Sequence, residues 1–177
     1  MVNALNILGI KLRAVSDVWT FKKKDYDKLT VKVFVDVSKK YINVSKHKRI
    51  LTPVINERIY LYINDIRLNE DEDEVFVVTE FYNSLTSQGK FPMFTCSCGI
   101  FGCGGFYIDV HYKDDIVIWG AEQSTYKKHL FSRGNIRLIT EQLIIKLAEI
   151  NDLRRENGLK ANHDIEVFKT KLEIFLK

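Results

Sequence analysis

Leu29-Thr30-Val31-Lys32-Val33-Phe34-Val35-Asp36-Val37 carries the clearest strand pattern in the first half of the chain. Val31, Val33, Val35 and Val37 fall on one side of an extended chain, with Lys32 and Asp36 on the other. This is the period-two alternation of a strand. Tyr41 to Val44 is a shorter β candidate, placed before a basic turn at Lys46-His47-Lys48-Arg49. Ile50 to Leu68 reads as two pieces separated by Pro53 and a short polar patch. Ile59, Leu61 and Ile63 share one face of the second piece, and Tyr60 and Tyr62 share the other. Apolar residues on both faces point to a central strand or to one covered by a helix.

Upstream, Leu5, Ile7, Leu8, Ile10 and Leu12 change phase around Gly9, as a strand with a bulge would. Val18, Trp19 and Phe21 continue as extended chain up to Lys22-Lys23-Lys24. Downstream, the period changes at Asn69. Asn69 and Glu72 match a capping box, and the run Asn69-Glu70-Asp71-Glu72-Asp73-Glu74 suits the positive end of a helix. Val75, Val78, Tyr82 and Leu85 then recur at helical spacing until Gly89, so a helix is expected over 69–89.

Phe106, Ile108, Val110 and Tyr112 alternate with Tyr107, Asp109 and His111, and Ile116 to Trp119 returns after Lys113-Asp114-Asp115. That pattern is a β-hairpin with a three-residue or slightly longer loop. Ala121 to Gly134 reads as polar and irregular. Asn135 is the expected cap of a long helix with the stripe Ile136, Ile139, Leu143, Leu147 and Ile150, ended by Asn157-Gly158. Asp164 to Leu176 carries a last helical stripe of Ile165, Phe168, Leu172 and Phe175, with a strand as the alternative.

The chain has 177 residues, 46% of them hydrophobic and 12% aromatic, which excludes disorder and suits one domain with an adequate core. Its net charge of +4 is too mild to indicate nucleic acid by itself. The lysine clusters in the first 50 residues keep a weak nucleic-acid role as one alternative. The first residues lack the charged start and cleavage site of a secretory signal, and no apolar run approaches the roughly 20 residues that cross a bilayer. Three cysteines, an odd number, do not form a secreted disulfide framework, so a cytoplasmic location with reduced thiols is expected.

All three cysteines lie in Cys96-Ser97-Cys98-Gly99-Ile100-Phe101-Gly102-Cys103-Gly104-Gly105. Cys96, Cys98 and Cys103 give the spacing C-x-C then C-x4-C with no fourth cysteine. A structural zinc needs four ligands, and the fourth would be His111, His129, His47 or His163, of which His111 is nearest in sequence. Zinc is therefore a candidate cofactor, and a redox-active or zinc-containing small enzyme or sensor is a second alternative function. Against these stands a packing reading, in which Gly99, Gly102, Gly104 and Gly105 permit a tight connection over small buried thiols. No adjacent Lys, Arg or His is present to activate a thiolate. His129 and His163, each alone in a polar segment, are expected at the surface or at a helix cap. No nucleophile elbow, zincin helix, phosphate loop or dinucleotide fingerprint occurs, so no catalytic and no cofactor-binding residue is assigned.

Cys96-x-Cys98-Gly99-x-x-Gly102-Cys103, followed by a strand pair ending in Ile116-Val117-Ile118-Trp119, resembles a family of small uncharacterised bacterial proteins. Those proteins carry C-x-C-G-x-x-G-C and then V-x-W after an N-terminal β region and a helix. The resemblance covers Cys96 to Trp119 closely and the rest in architecture only. It implies a bacterial or phage setting, a structural role for the three cysteines and Trp119, and no particular activity.

The expectation is one α+β domain, a mostly antiparallel sheet with helices packed on it. It divides into a β-rich 1–68, a helix over 69–89, the Cys/Gly loop and hairpin over 91–119, and a helical end over 135–177. The expected function is a non-enzymatic, protein-binding one of the immunity, anti-defence or regulatory kind. A protein partner is expected, and neither a membrane nor nucleic acid is.

Overall fold

The computed structural model describes residues 25–69, 73–98, 104–121 and 128–177. The expected strand at Leu5 to Leu12, the extended stretch at Val18 to Phe21 and the lysines 22–24 lie outside the described residues. Within them the architecture is α+β, with antiparallel sheets and three helices, two at the C-terminal end.

The opening valine stretch belongs to a strand longer than its pattern announces. β1 (Leu29–Ser45) and β2 (Lys48–Ile63) form one antiparallel hairpin, in register from Leu29 opposite Ile63 to Asn43 opposite Arg49, with a shift just before the Lys46-His47 turn. Tyr41 to Val44 is thus part of β1, and Pro53 does not divide β2. The reason lies in the ladder. The Leu29 N–H and C=O are bonded to the side chain of Asn135, at 2.8 and 3.0 Å, so they point away from β2. Backbone direction alternates along an antiparallel strand, so each residue an even number of steps from Leu29 faces outward, and so does its partner. Lys39 is such a residue and Pro53 is its partner. The proline nitrogen therefore faces the outer edge, where no hairpin bond is lost.

A turn with positive φ at Asn64 (51°) and Asp65 (66°) leads into β3 (Ile66–Arg67), which pairs with the end of β2. β4 (Glu74–Phe76) follows, where the capping pattern had predicted helix. Asn69 is buried and its amide donates to the Glu74 C=O at 3.3 Å, so it closes a loop instead of capping a helix. Val75 and Val77 are β-branched and favour extended chain, with Phe76 buried and Val75 exposed in strict alternation. The helix α1 (Val78–Ser84) starts only then, without a side-chain cap, and buries Phe81 and Tyr82.

β5 (Gly89–Phe91) and β6 (Phe94–Cys96) come next, and β6 pairs with β4. β7 (Ile108–Lys113) and β8 (Ile116–Ala121) form the expected hairpin, but Lys113 pairs with Ile116, so the turn has two residues, shorter than expected, with Asp114 at φ 52°. β9 (Lys128–Ser132) adds a strand within the segment read as irregular, completing a four-stranded sheet in the order β5-β7-β8-β9. Its alternation was hidden because the buried residues are His129 and Phe131, and a histidine counts as polar in a sequence pattern.

α2 (Arg133–Glu156) is capped by Ser132, whose Oγ accepts the Asn135 N–H at 3.1 Å. Asn135, expected as the cap, instead holds β1. The stripe Ile136, Ile139, Leu143, Leu147 and Ile150 is buried, and Gly158 adopts φ 72° just past the helix end. α3 (Ile165–Phe175) is a helix, capped by Asp164 accepting the Val167 N–H at 3.2 Å. The core joins these pieces. Trp119 meets Phe131 and Phe81 edge-on, and Tyr82 stacks on Phe168 at 4.1 Å. No helix among the described residues is long and apolar enough to cross a membrane.

Candidate functional site

The cysteine loop leaves β6 and returns to β7 through a closed neck. Phe94 and Phe106 exchange backbone hydrogen bonds of 3.3 and 3.2 Å and stack their rings at 4.4 Å. Gly105 sits in that neck at φ 94°, and a Cβ there would lie 2.3 Å from the Phe94 carbonyl oxygen. Only glycine fits. Gly104 differs, since a Cβ there would touch Cys96 Cβ at an ordinary 3.5 Å. Cys96 stands opposite Glu74 in the short β4–β6 ladder, and its Sγ accepts the Cys98 N–H at 3.3 Å. The Ser97 N–H donates to the Asp73 C=O at 2.7 Å, tying the loop to the acidic run.

Gly99, Gly102 and Cys103 lie outside the described residues. His111 is half exposed on β7, opposite Ile118, with its Nε2 3.0 Å from Asp109 Oδ2. Among the described residues no three of His, Cys, Asp and Glu gather closely enough to hold a metal ion. Trp119 is buried in the core, away from solvent.

His129 and His163 are not surface residues. His129 is buried and places Nδ1 3.3 Å from Asp27 Oδ2. Asp27 also accepts the Leu130 N–H at 3.0 Å and the Asn64 amide at 2.5 Å. Burial acts to raise the Asp27 pKa, but these donors and the His129 ring outweigh it and hold the carboxyl below its usual range. His163 places Nε2 2.9 Å from Glu57 Oε1. Asn151, itself buried, accepts the Asn162 and His163 N–H groups at 3.1 and 3.2 Å and donates to the His163 C=O at 2.8 Å. Both histidines therefore fasten chain segments. One joins β9 to the start of β1, and the other joins the α2–α3 connection to β2. Sequence reading missed them because each carboxylate partner is about a hundred residues away.

The feature that reaches solvent is the hairpin. Near the body, Leu29, Ile59, Leu61 and Ile63 are buried and Val31 and Val33 pack against the core. Beyond the Val33–Ile59 pair the valine stripe becomes solvent-exposed, with Val37 48% exposed, although Ile55 opposite it on β2 is buried at 8%. At about 3.3 Å per residue, Val35 to Ser45 extends the ribbon by about 35 Å. Register puts Val35, Val37, Tyr41 and Leu51 on one face, and Tyr41 is 70% exposed. The opposite face carries Phe34, Ile42 and Ile50, all exposed. Between Ser38 and Thr52 there are five Lys or Arg residues and no carboxylate, against a net charge of +4 for the whole chain.

At the root of that second face, Tyr60 and Tyr62 are half-buried, as a covered strand face requires. Arg67 lies 4.0 Å over the Tyr60 ring and Lys32 lies 4.6 Å over Tyr62. These cations cover the rings that a stacked base would need.

Comparison of the chain with protein-family models, with curated proteins and with solved structures finds no match.

Proposed function

We propose that the chain is a non-enzymatic protein-binding module whose working surface is the β1–β2 arm. The observation that carries this reading is the valine stripe running off the core into solvent, flanked by Tyr41, Leu51, Ile42 and Ile50. An isolated two-stranded ribbon is marginal in water, and exposed apolar side chains gathered on such a ribbon gain free energy only when something covers them. At about 25 cal/mol per Å², each exposed Val or Leu that a partner buries contributes about 1 to 2 kcal/mol.

Aliphatic side chains on both faces favour a protein surface. A nucleic acid would engage the cations and leave those side chains wet. A cytoplasmic location is supported by the odd cysteine count, and a bacterial or phage setting by the resemblance of Cys96 to Trp119. Immunity, anti-defence and regulatory roles share this mode of action.

The test is an arm-shortened chain, in which a two-residue turn replaces everything beyond the Val35–Glu57 pair. The full chain is expected to capture a protein from nuclease-treated host lysate, and the shortened chain to lose it while still unfolding cooperatively on heating. Capture that survives shortening, or that disappears with nuclease, overturns the reading.

A further inference from the structure

We propose that the outer edge of β1 receives an acidic, extended segment of another protein as an added strand. This rests on the arm being the protein-binding surface, and it specifies the partner's chemistry.

The two edges of the hairpin are not equivalent. On β1, the Leu29 N–H and C=O face outward to Asn135, and the register is unbroken from Leu29 to Asn43. The odd-numbered residues from Val31 to Asn43 therefore present their N–H and C=O groups to the outer edge. No strand among the described residues pairs there, because β1 ends its sheet in the order β1-β2-β3. On β2, the same alternation turns Pro53 outward, where it has no N–H to offer, and the Leu61 C=O already accepts the Leu68 N–H at 2.8 Å. A long run of outward donors and acceptors thus exists on the β1 side only. An extended peptide can occupy it by main-chain hydrogen bonding, with side chains setting specificity.

The side chains beside that edge define the occupant. Val35, Val37 and Tyr41 offer apolar neighbours on one face, and Lys39 and Lys40 offer a cation to each face. The tip beyond adds Lys46, Lys48 and Arg49 with no carboxylate. A segment that alternates apolar and acidic residues meets both demands, since opposite charges across neighbouring strands attract and like charges repel. Other occupants fit less well. A second copy of the arm brings the same five cations. Residues 1–24 of the chain carry five Lys or Arg residues and one Asp, again the same sign. Nucleic acid supplies the charge but no strand backbone.

The experiment uses the full chain and fluorescence anisotropy with a labelled peptide of alternating valine and glutamate, about eleven residues long. Three comparisons accompany it: the same peptide with lysine for glutamate, the peptide N-methylated at every second residue, and a single-stranded DNA 20-mer. The glutamate peptide is expected to bind. Its affinity should fall at least tenfold on N-methylation of the peptide, and at least tenfold in a Lys39→Glu/Lys40→Glu chain whose circular dichroism is unchanged. Equal affinity for the lysine or the methylated peptide overturns the proposal. So does tighter binding of DNA, binding that requires prior removal of residues 1–24, or self-association of the chain through the arm. An arm-dependent partner that ignores both methylation and charge reversal removes the added strand and leaves the arm's role standing. Loss of arm dependence removes both.

Discussion

Single residues carry the joints of this molecule. Gly105 combines φ 94° with a Cβ position 2.3 Å from the Phe94 carbonyl, so Gly105→Ala must open the neck of the cysteine loop. A loss of about 2 to 4 kcal/mol is expected from backbone strain plus overlap, measured by urea denaturation. Gly104→Ala, facing only an ordinary contact, should cost less than about 1 kcal/mol and serves as the control. Asn135 satisfies both backbone groups of Leu29. Asn135→Ala should cost about 1 to 3 kcal/mol, because a part-buried donor and acceptor lose their partners together.

Asp27 governs part of the acid response. Its folded pKa lies below its unfolded value, so its contribution is full above the ordinary carboxylate range and is lost as pH falls through the folded pKa. Stability measured against pH should fall less steeply below about pH 4 in Asp27→Asn than in the parent chain. An identical slope in both would remove Asp27 from the acid response.

Among the elements, those with long, regular patterns were legible in the sequence and those set by distant partners were not. The α2 stripe and the β7–β8 hairpin follow from periodicity alone, because each buries one continuous face, and α3 is the helical one of the two readings its pattern allowed. The acidic run at Asn69 misled because a capping box specifies a helix start only if helix formers follow. Here β-branched Val75 and Val77 follow, and β6 supplies a pairing partner about twenty residues later. β9 was invisible because His129 is buried through Asp27, which no local pattern reveals. Of the sites weighed on the sequence, the cysteine loop shows a glycine-dependent neck, whereas the arm went unremarked. Strand alternation marks one face as apolar but does not say where a core ends.

That boundary makes a prediction at the scale of the hairpin. Leu61→Ala, inside the core, should cost about 2 to 5 kcal/mol. Tyr41→Ser, on the same strand pair but 70% exposed, should change stability by no more than about 0.5 kcal/mol, and Val37→Thr, half exposed beside the buried Ile55, should cost less than Leu61→Ala. A large loss at Val37 or Tyr41 would mean that the distal hairpin packs on the body.

As a whole, the molecule is a body built from the four-stranded sheet and its helices, with one long ribbon anchored to it. The anchors are specific. Asn135 holds the start of β1, Asp27 ties that start to β9, and Glu57 pairs with His163 from the α2–α3 connection. Such fastening fixes the root of the ribbon to the body at three points. A rival surface exists on α2, where Leu138 and Ile145 are exposed seven residues apart and therefore share a helix face. It lacks both the cation cluster and the open strand edge.

The two surfaces separate in one measurement, photo-crosslinking in host cells from a benzophenone side chain placed at Tyr41 or at Ile145. An adduct to another polypeptide from position 41, absent from position 145, is the predicted result. An adduct confined to position 145, or one from position 41 to nucleic acid alone, would contradict the arm's role as a protein-binding surface.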